Sequence, residues 1–169
     1  MKRTTTLAAC IVTVIVVFAA LPAAFAGRHA TNGTSQNCRR NQLGVRLDST
    51  QGAAGTIHGA WVFTNLSDTP CTLSGYPALQ LYGRAGRPLP TTVTRDLSPG
   101  PTQVALIPGA SATFFSSYSD VSSGEPCPVS SVVEITAPNN MASLFIPSAL
   151  WPCGGVVHVS AVKAGVHHA

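Results

Sequence analysis

The chain has 169 residues and a formal net charge of +4, with 45% hydrophobic and only 9% charged side chains. Its few basic residues are scattered, apart from Arg39-Arg40. Since nucleic acids and anionic membranes attract clustered Lys and Arg, this composition predicts no nucleic-acid partner, and the length is that of a single domain.

The first 26 residues have the organisation of an export signal. Lys2 and Arg3 form a short positive region, residues 7–21 are apolar, and Ala24-Phe25-Ala26 is a small-x-small cleavage site. The flanks favour a cleaved signal over an uncleaved anchor, and we expect no transmembrane segment after cleavage. Cys10 ends a sequence like a lipoprotein box, but the apolar core follows it, so we expect it to leave with the signal.

The first strands are predicted from strict alternation of apolar and polar residues. After a flexible leader (27–37), residues 42–48 alternate, and 51–55 are predicted to form a flexible link. The central strand, 56–64, has Ile57, Trp61 and Phe63 on one face and His58 on the other.

Turn-forming residues separate the strands that follow. Residues 65–70 form a polar turn, and a second strand after Gly75-Tyr76-Pro77 directs Leu79 and Leu81 to one face. Residues 83–88 form a turn, the stretch to Asp96 is weakly patterned, and proline disfavours a strand over 97–101. Further strands are predicted at 104–107, 110–118, 129–137, 143–146 and 156–162, the last with Val157, Val159 and Ala161 inward.

About eight short strands without a sustained 3.6-residue apolar period predict an all-β fold. A β-sandwich or a barrel fits this spacing, and we favour the antiparallel sandwich. The predicted organisation is a signal peptide (1–26), a flexible leader (27–37), a β-sandwich domain (38–162) and a tail (163–169).

Four cysteines follow the predicted cleavage site, and an even number in an exported protein predicts two disulfides. They are Cys38, Cys71, Cys127 and Cys153. A zinc site is the alternative, but zinc ligands usually come in closely spaced pairs, whereas tens of residues separate these cysteines. Of the three possible connectivities we favour Cys38–Cys71 and Cys127–Cys153, each of which would tie a loop or an end segment to an adjacent strand.

Several short motifs resemble those of a known family. Asn65-Leu66-Ser67, Pro70-Cys71-Thr72-Leu73 and Gly75-Tyr76-Pro77 form its core, and Leu106-Ile107-Pro108-Gly109 and Cys153-Gly154-Gly155 follow downstream. The chain resembles the actinobacterial secreted domain-of-unknown-function family 4232 over about residues 38–162. This resemblance implies an exported or envelope-located β-sandwich of immunoglobulin-like type. It implies no established activity and no catalytic residues.

The residue types that carry catalysis or metal binding form no recognisable constellation. There is no Gly-x-Ser-x-Gly motif, and His58 and His158 are predicted on outward strand faces. His167 and His168 are in the predicted tail, and His29 is in the leader. We therefore predict no catalytic, cofactor-binding or metal-binding residues and no cofactor.

A non-catalytic binding module, secreted or held in the cell envelope, is left by elimination. Its partner would be an unidentified protein or envelope ligand, bound through loops at the ends of the sandwich. The candidate loops are 84–90, 96–102 and 119–126. A secreted hydrolase, or a protease inhibitor that uses the Pro-rich 97–101 loop, is the alternative.

Overall fold

The computed structural model describes residues 36–124 and 126–169, and these residues form an all-β fold. The predicted signal peptide, Cys10, His29 and all but the last two residues of the leader lie outside the described residues and stay predictions. The strands are β1 (Leu43–Ala53), β2 (Thr56–Asn65), β3 (Cys71–Leu73), β4 (Ala78–Tyr82), β5 (Thr92–Arg95), β6 (Val104–Leu106), β7 (Ser111–Ser119), β8 (Val132–Thr136), β9 (Ser143–Pro147), β10 (Val156–Val159) and β11 (Lys163–Ala164).

The helical content of the described chain is limited to two three-residue 3₁₀ segments, Arg40–Gln42 and Cys153–Gly155. No helix in residues 36–124 and 126–169 is long and apolar enough to cross a membrane.

Three sheets surround one core. The largest has the order β1-β2-β7-β10-β5, with β11 also paired to β7, and the smaller sheets are β3-β6 and β4-β8-β9. Trp61 and Phe114 from the large sheet share a buried cluster with Leu81 and Ile135 from the three-stranded sheet, which gives a sandwich-like arrangement. The pairs are antiparallel except that β10 runs parallel to β5, a pairing that the sequence analysis did not predict.

The predicted alternation of the central strand is confirmed in β2. Trp61 and Phe63 are completely buried, and both pack on Phe114, at ring-centroid distances of 6.1 and 5.5 Å. His58 is exposed on the opposite face, as predicted. Val62, on that same outer face, is nevertheless only 1% exposed, and the His167 amide bonds to Thr113, its partner in the β2–β7 pair.

Strand β1 is longer than predicted, and the prediction of a flexible link over 51–55 is wrong. Gly52 pairs with Ile57 and Ala53 with Thr56, so that β1 and β2 form a hairpin closed by Ala54 and Gly55. Both turn residues have positive φ, 49° and 79°, as two-residue hairpin turns of this kind require. Cross-strand pairing thus determines the structure where the local composition suggested a loop.

The predicted strands near the C-terminus differ from the structure at their ends. The predicted strand 156–162 stops at Val159, where the chain leaves the sheet, and Val162 rather than Ala161 is the buried residue beyond it. The Val162 amide donates to the Gly75 carbonyl, and this hydrogen bond fixes the chain after it turns away from β10. The weakly patterned stretch before Asp96 contains the unpredicted strand β5.

Both favoured disulfides are confirmed. Cys38 bonds to Cys71 and Cys127 to Cys153, with Cα–Cα distances of 4.7 and 4.6 Å. Cys38 and Cys71 are each 1% exposed, so the first disulfide lies within the hydrophobic core. Two disulfides are typical of proteins that fold in an oxidising or extracellular environment.

Asn65 organises the turn that follows β2. Its side-chain amide donates to the carbonyls of Thr69 (2.9 Å) and Leu106 (3.0 Å), and its Oδ1 accepts from the Ser67 amide (3.0 Å). The residue has no exposed surface. The Asn-x-Ser triplet here is therefore a structural turn, because a buried and fully bonded amide is not accessible for glycosylation in the folded chain.

Replacing Asn65 by alanine is expected to destabilise the fold by about 1–3 kcal/mol, since the buried Leu106 carbonyl would lose this donor and the Thr69 carbonyl would keep only the Ser67 hydroxyl. Urea unfolding of Asn65→Ala should show the loss. The exposed Thr102 provides a control, for which alanine should change the free energy of unfolding by less than about 0.5 kcal/mol. Equal stability of the Asn65→Ala and wild-type proteins would contradict this role.

Candidate functional site

An apolar cleft opens between the inner face of the large sheet and the segment that precedes Cys153. Its volume is about 210 Å³. We call it the tryptophan cleft, because both tryptophans of the chain line it. Its principal lining side chains are Leu47, Ile57, Trp61, Tyr118, Leu150 and Trp151.

Strand pairing places the walls of the tryptophan cleft. Ile57, Gly59 and Trp61 alternate along β2 and face inward, and β7 contributes Ser116 opposite Gly59 and Tyr118 opposite Ile57. Because side chains on one face of an antiparallel pair lie opposite one another, these residues form a continuous surface. The bulge in β1 after Leu47 shifts the register of this edge strand by one residue.

Gly59 keeps the floor of the cleft open. Trp61 Nε1 donates to Ser116 Oγ across the floor, at 2.9 Å. A Cβ atom at position 59 would lie 3.0 Å from Ser116 Oγ and 3.3 Å from Leu47 Cδ1, which is tighter than ordinary van der Waals contact. Glycine therefore leaves space beside the Ser116 hydroxyl that any larger residue would occupy.

The rim of the cleft is aromatic. Trp151 is 40% exposed and meets Tyr118 edge to face, with 6.1 Å between the ring centroids. Tyr118 itself is 4% exposed. Burial raises the pKa of its hydroxyl above the usual value, against a hydrogen bond with the Trp151 backbone that lowers it. Tyr118 is therefore uncharged at neutral pH.

The described lining of the tryptophan cleft is aromatic and aliphatic, with a few polar groups. Among the described residues its lining contains no Asp, Glu, His, Lys or Arg, and Tyr118 is the one titratable side chain there. Concave apolar surfaces with a few placed polar groups are typical of sites for small ligands. Alternation in the sequence placed Trp61 on one face of the central strand but did not indicate the cleft. The cleft could not be predicted because residues 149–151 carry no local pattern that indicates how they approach β2 and β7.

The predicted surface histidines do not assemble a catalytic group within the described residues. His58 and His158 flank Ser117 in register on the outer face of the large sheet, and no hydrogen bond joins either imidazole to that serine. His158 Nδ1 lies 3.7 Å from Asp96 Oδ1, and about half of each side chain is exposed. In the described part of the chain, no group of three or more His, Cys, Asp or Glu could hold a metal ion.

In the segment 163–169, predicted as a tail, Lys163–Ala164 pair with β7 as β11, and the residues after them cross the outer face of the large sheet. Thr113 Oγ1 donates to the Gly165 carbonyl (2.8 Å) and accepts from the His167 amide (3.1 Å). Lys163 Nζ lies 4.3 Å from the centre of the Phe115 ring, a cation–π contact.

Asp48 anchors the far end of the same segment. Its carboxylate is 2.5 Å from Arg46 Nη2 and 2.7 Å from His168 Nδ1, and 11% of the side chain is exposed. The hydrogen bond from Arg46 lowers the pKa of Asp48 most strongly, burial raises it, and the contact with His168 lowers it further. The net effect is a pKa below the usual value.

This depressed pKa predicts an acid-dependent loss of stability. The ionised Asp48 stabilises the folded chain fully above the unfolded-state pKa of about 3.9, and the effect disappears as the pH falls through the lower folded-state pKa. Urea unfolding between about pH 6 and 2 should therefore show a smaller loss of stability for Asp48→Asn than for the wild type. Asp68→Asn, in an exposed turn, is the control and should follow the wild-type profile. Identical profiles for all three proteins would contradict the prediction.

Two of the three candidate loops flank the end of the molecule that holds the tryptophan cleft. Loop 119–126 leaves β7 at Ser119, which pairs with Thr56 beside the cleft, although Glu125 is outside the described residues. Loop 84–90 follows β4, whose last residue accepts a hydrogen bond from Ser131, next to the Ser130–Leu150 contact. Loop 96–102 follows β5, and the Asp96 amide at its start donates to the carbonyl of Val159, which pairs with Ser116. Recognition by these loops stays a prediction.

Comparison with known proteins gives one finding. The profile of a family described as Domain of unknown function (DUF4232) matches residues 38–165, which is most of the chain. No curated protein and no solved structure matches the chain.

Proposed function

The chain belongs to the family Domain of unknown function (DUF4232), and from this premise we propose that it is an exported, non-catalytic binding module of the cell envelope or the extracellular space. The family name describes no activity, so the proposal depends on the structure of this chain. The observation that carries it is the tryptophan cleft, a preformed apolar site whose lining, over the residues that the structure describes, has no charged side chain.

Preorganisation of the cleft supports a binding role. Trp61 is held by its stacking on Phe114 and its hydrogen bond to Ser116, and Trp151 rests against Tyr118. Side chains that are already fixed lose little conformational entropy when a ligand enters, which favours affinity. Partial exposure of Trp151 leaves an aromatic surface at the mouth that a ligand could cover.

The chemistry of the cleft favours binding over hydrolysis. Nucleophilic catalysis by serine requires an adjacent base that a third group orients. The Ser116 hydroxyl instead accepts a hydrogen bond from an indole N–H, which neither removes its proton nor raises its nucleophilicity. The His158–Asp96 pair belongs to the outer face of the sheet, whereas Ser116 belongs to the inner face.

The proposed location outside the cytoplasm has two supports. The two disulfides are of the kind that persist in oxidising compartments, and the first residues have the pattern of an export signal. Sequencing the N-terminus of secreted protein should give Gly27 as the first residue. A protein that starts at Cys10 would instead be a lipoprotein.

The proposal is tested by passing envelope extract or culture medium over the immobilised protein and identifying what is retained. Two variants, each with one alanine replaced by phenylalanine, are compared with the wild type. Ala149 is exposed and lines the cleft, so Ala149→Phe should close the mouth without disturbing the core. Ala105 is exposed on β6 and provides the control, Ala105→Phe. We expect the same component to be retained by the wild type and by Ala105→Phe, but not by Ala149→Phe.

Equal retention by all three proteins would contradict a role for the cleft. Turnover of a substrate by the wild type in a hydrolase panel, abolished by Ala149→Phe but not by Ala105→Phe, would replace the binding module with an enzyme. Inhibition of a protease by both the wild type and Ala149→Phe would favour the alternative of an inhibitor that acts through the 97–101 loop.

A further inference from the structure

We infer that the tryptophan cleft takes a small, uncharged molecule whose apolar body carries one hydrogen-bond acceptor directed at Ser116. This inference rests on the proposed binding function and specifies the chemical class of its ligand. Three observations each set one property of the ligand: the cleft volume its size, the lining its charge, and the unused hydrogen-bond donor of Ser116 its polar group.

The volume sets the size of the ligand. A closed apolar cavity of about 150 Å³ can hold benzene, and sites for drug-sized ligands occupy about 300–1,000 Å³. At about 210 Å³, the tryptophan cleft lies between these limits. It therefore suits one six-membered ring with a short substituent, or a branched aliphatic group of similar bulk.

The lining sets the charge of the ligand. Among the described residues no side chain with a formal charge lines the cleft, and Tyr118, whose pKa burial raises further above its usual value, is neutral at physiological pH. An ion that entered would lose hydration without gaining a counter-charge, which is strongly unfavourable. Carboxylates, phosphates and amines are therefore excluded.

Ser116 sets the polar feature of the ligand. Its side chain is on the cleft floor, and the residue is only 1% exposed. A hydroxyl has one proton to donate and two lone pairs to accept with. Trp61 Nε1 occupies one lone pair, and within the described residues the Ser116 proton has no acceptor.

Gly59 gives a ligand access to that hydroxyl. The space in which a Cβ would stand 3.0 Å from Ser116 Oγ is empty in the wild type. Because no side chain projects from Gly59 toward this hydroxyl, a carbonyl or ether oxygen at the cleft floor would meet Ser116, while the apolar body packs against Ile57, Leu150 and Trp151. A buried donor that lacks a partner is unfavourable, so the oxygen supplies what the protein leaves unsatisfied.

The two tryptophans make the test direct, because both line the cleft and no other tryptophan contributes to the emission. Three probes of similar size test the need for an acceptor and the exclusion of charge separately. Cyclohexanone has a hydrogen-bond acceptor, cyclohexene has none of comparable strength, and cyclohexanecarboxylate is charged. Each probe is titrated into the intact protein. Two signals are recorded: the tryptophan fluorescence emission, and the NMR chemical shifts of the Gly59 and Ser116 amides. N-acetyltryptophanamide controls for collisional quenching.

Cyclohexanone is expected to bind saturably, roughly threefold to tenfold more tightly than cyclohexene, as one net hydrogen bond implies. Cyclohexanecarboxylate should bind at least about tenfold more weakly than cyclohexanone. Ala149→Phe should abolish binding of all probes, and Ala105→Phe should not. Gly59→Ala should remove the preference for the ketone, whereas Gly100→Ala, where a Cβ meets nothing within 4 Å, should retain it.

The outcomes distinguish this inference from the proposed function. Equal affinity for cyclohexanone and cyclohexene overturns the role of Ser116, and tight binding of the carboxylate overturns the exclusion of charge. If no probe binds but retention of a protein still depends on Ala149, the ligand class is wrong and the cleft receives a partner's side chain. If the probes bind as expected but no component of medium or envelope is retained, the cleft chemistry stands and the proposed function fails.

Discussion

Replacing Phe114 by alanine is expected to lower the free energy of unfolding by about 3–5 kcal/mol. Phe114 is completely buried on β7 and contacts two other fully buried aromatic rings. It lies nearly parallel to Trp61, with an interplanar angle of 9°, and its centroid is 5.5 Å from that of Phe63. Its removal would leave a cavity between the strands with the largest apolar side chains.

The matched control for this prediction is Phe145→Ala. Phe145 is 59% exposed on β9, and its main aromatic neighbour is Tyr82, at 6.3 Å. Urea unfolding should show a loss of less than about 1 kcal/mol for this variant, because little buried area disappears. A similar loss for both variants would mean that the aromatic cluster is not the centre of stability.

Removing the Cys38–Cys71 disulfide is expected to cost about 2–5 kcal/mol. The double replacement Cys38→Ala and Cys71→Ala opens a loop with a sequence separation of 33 residues, for which chain entropy alone suggests about 3–4 kcal/mol. Both cysteines are 1% exposed, so the smaller alanines also leave unfilled space in the core. Unfolding of the oxidised proteins in urea measures the difference.

The second disulfide is the natural comparison. Cys127 and Cys153 are 26 residues apart, so loop entropy predicts a similar contribution, but both residues are only half-buried. The alanine pair at these positions should therefore destabilise the fold less than the pair at 38 and 71. The opposite order would contradict the assignment of the first disulfide to the core. Mass spectrometry of unreduced peptides should show both linked pairs.

The parts of the fold that could be read from the sequence are those that local alternation determines. Ile57, Trp61 and Phe63 define one face of β2, and Leu79 and Leu81 define one face of β4, because each strand has one face toward the core. Of the three disulfide connectivities that the sequence left open, the one favoured from the positions of the cysteines beside adjacent strands is the observed one.

The parts that could not be read depend on contacts between distant segments. The end of β1 has a loop-like composition and becomes strand only because it pairs with β2. Strand β5 has little apolar character and is held by its parallel neighbour β10. No pattern in β2 could indicate that residues 165–169 cross the outer face of the sheet, where His167 bonds to Thr113.

The candidate site shows the same division. Alternation placed Trp61 on the inner face, but the gap above it depends on how residues 149–151 approach the sheet. The importance of Gly59 depends on Ser116, its partner across the β2–β7 pair. A cleft is a property of tertiary packing. The position of the Ser116 hydroxyl on its floor could therefore be identified only from the structure, which shows β2, β7 and residues 149–151 together.

Native mass spectrometry of protein exposed to growth medium and envelope extract tests the binding account most directly. The wild type and Ala105→Phe should both carry the same additional small mass, and Ala149→Phe should carry none, because only that side chain fills the mouth of the tryptophan cleft. The same additional mass on all three proteins, or on none of them, would contradict the account.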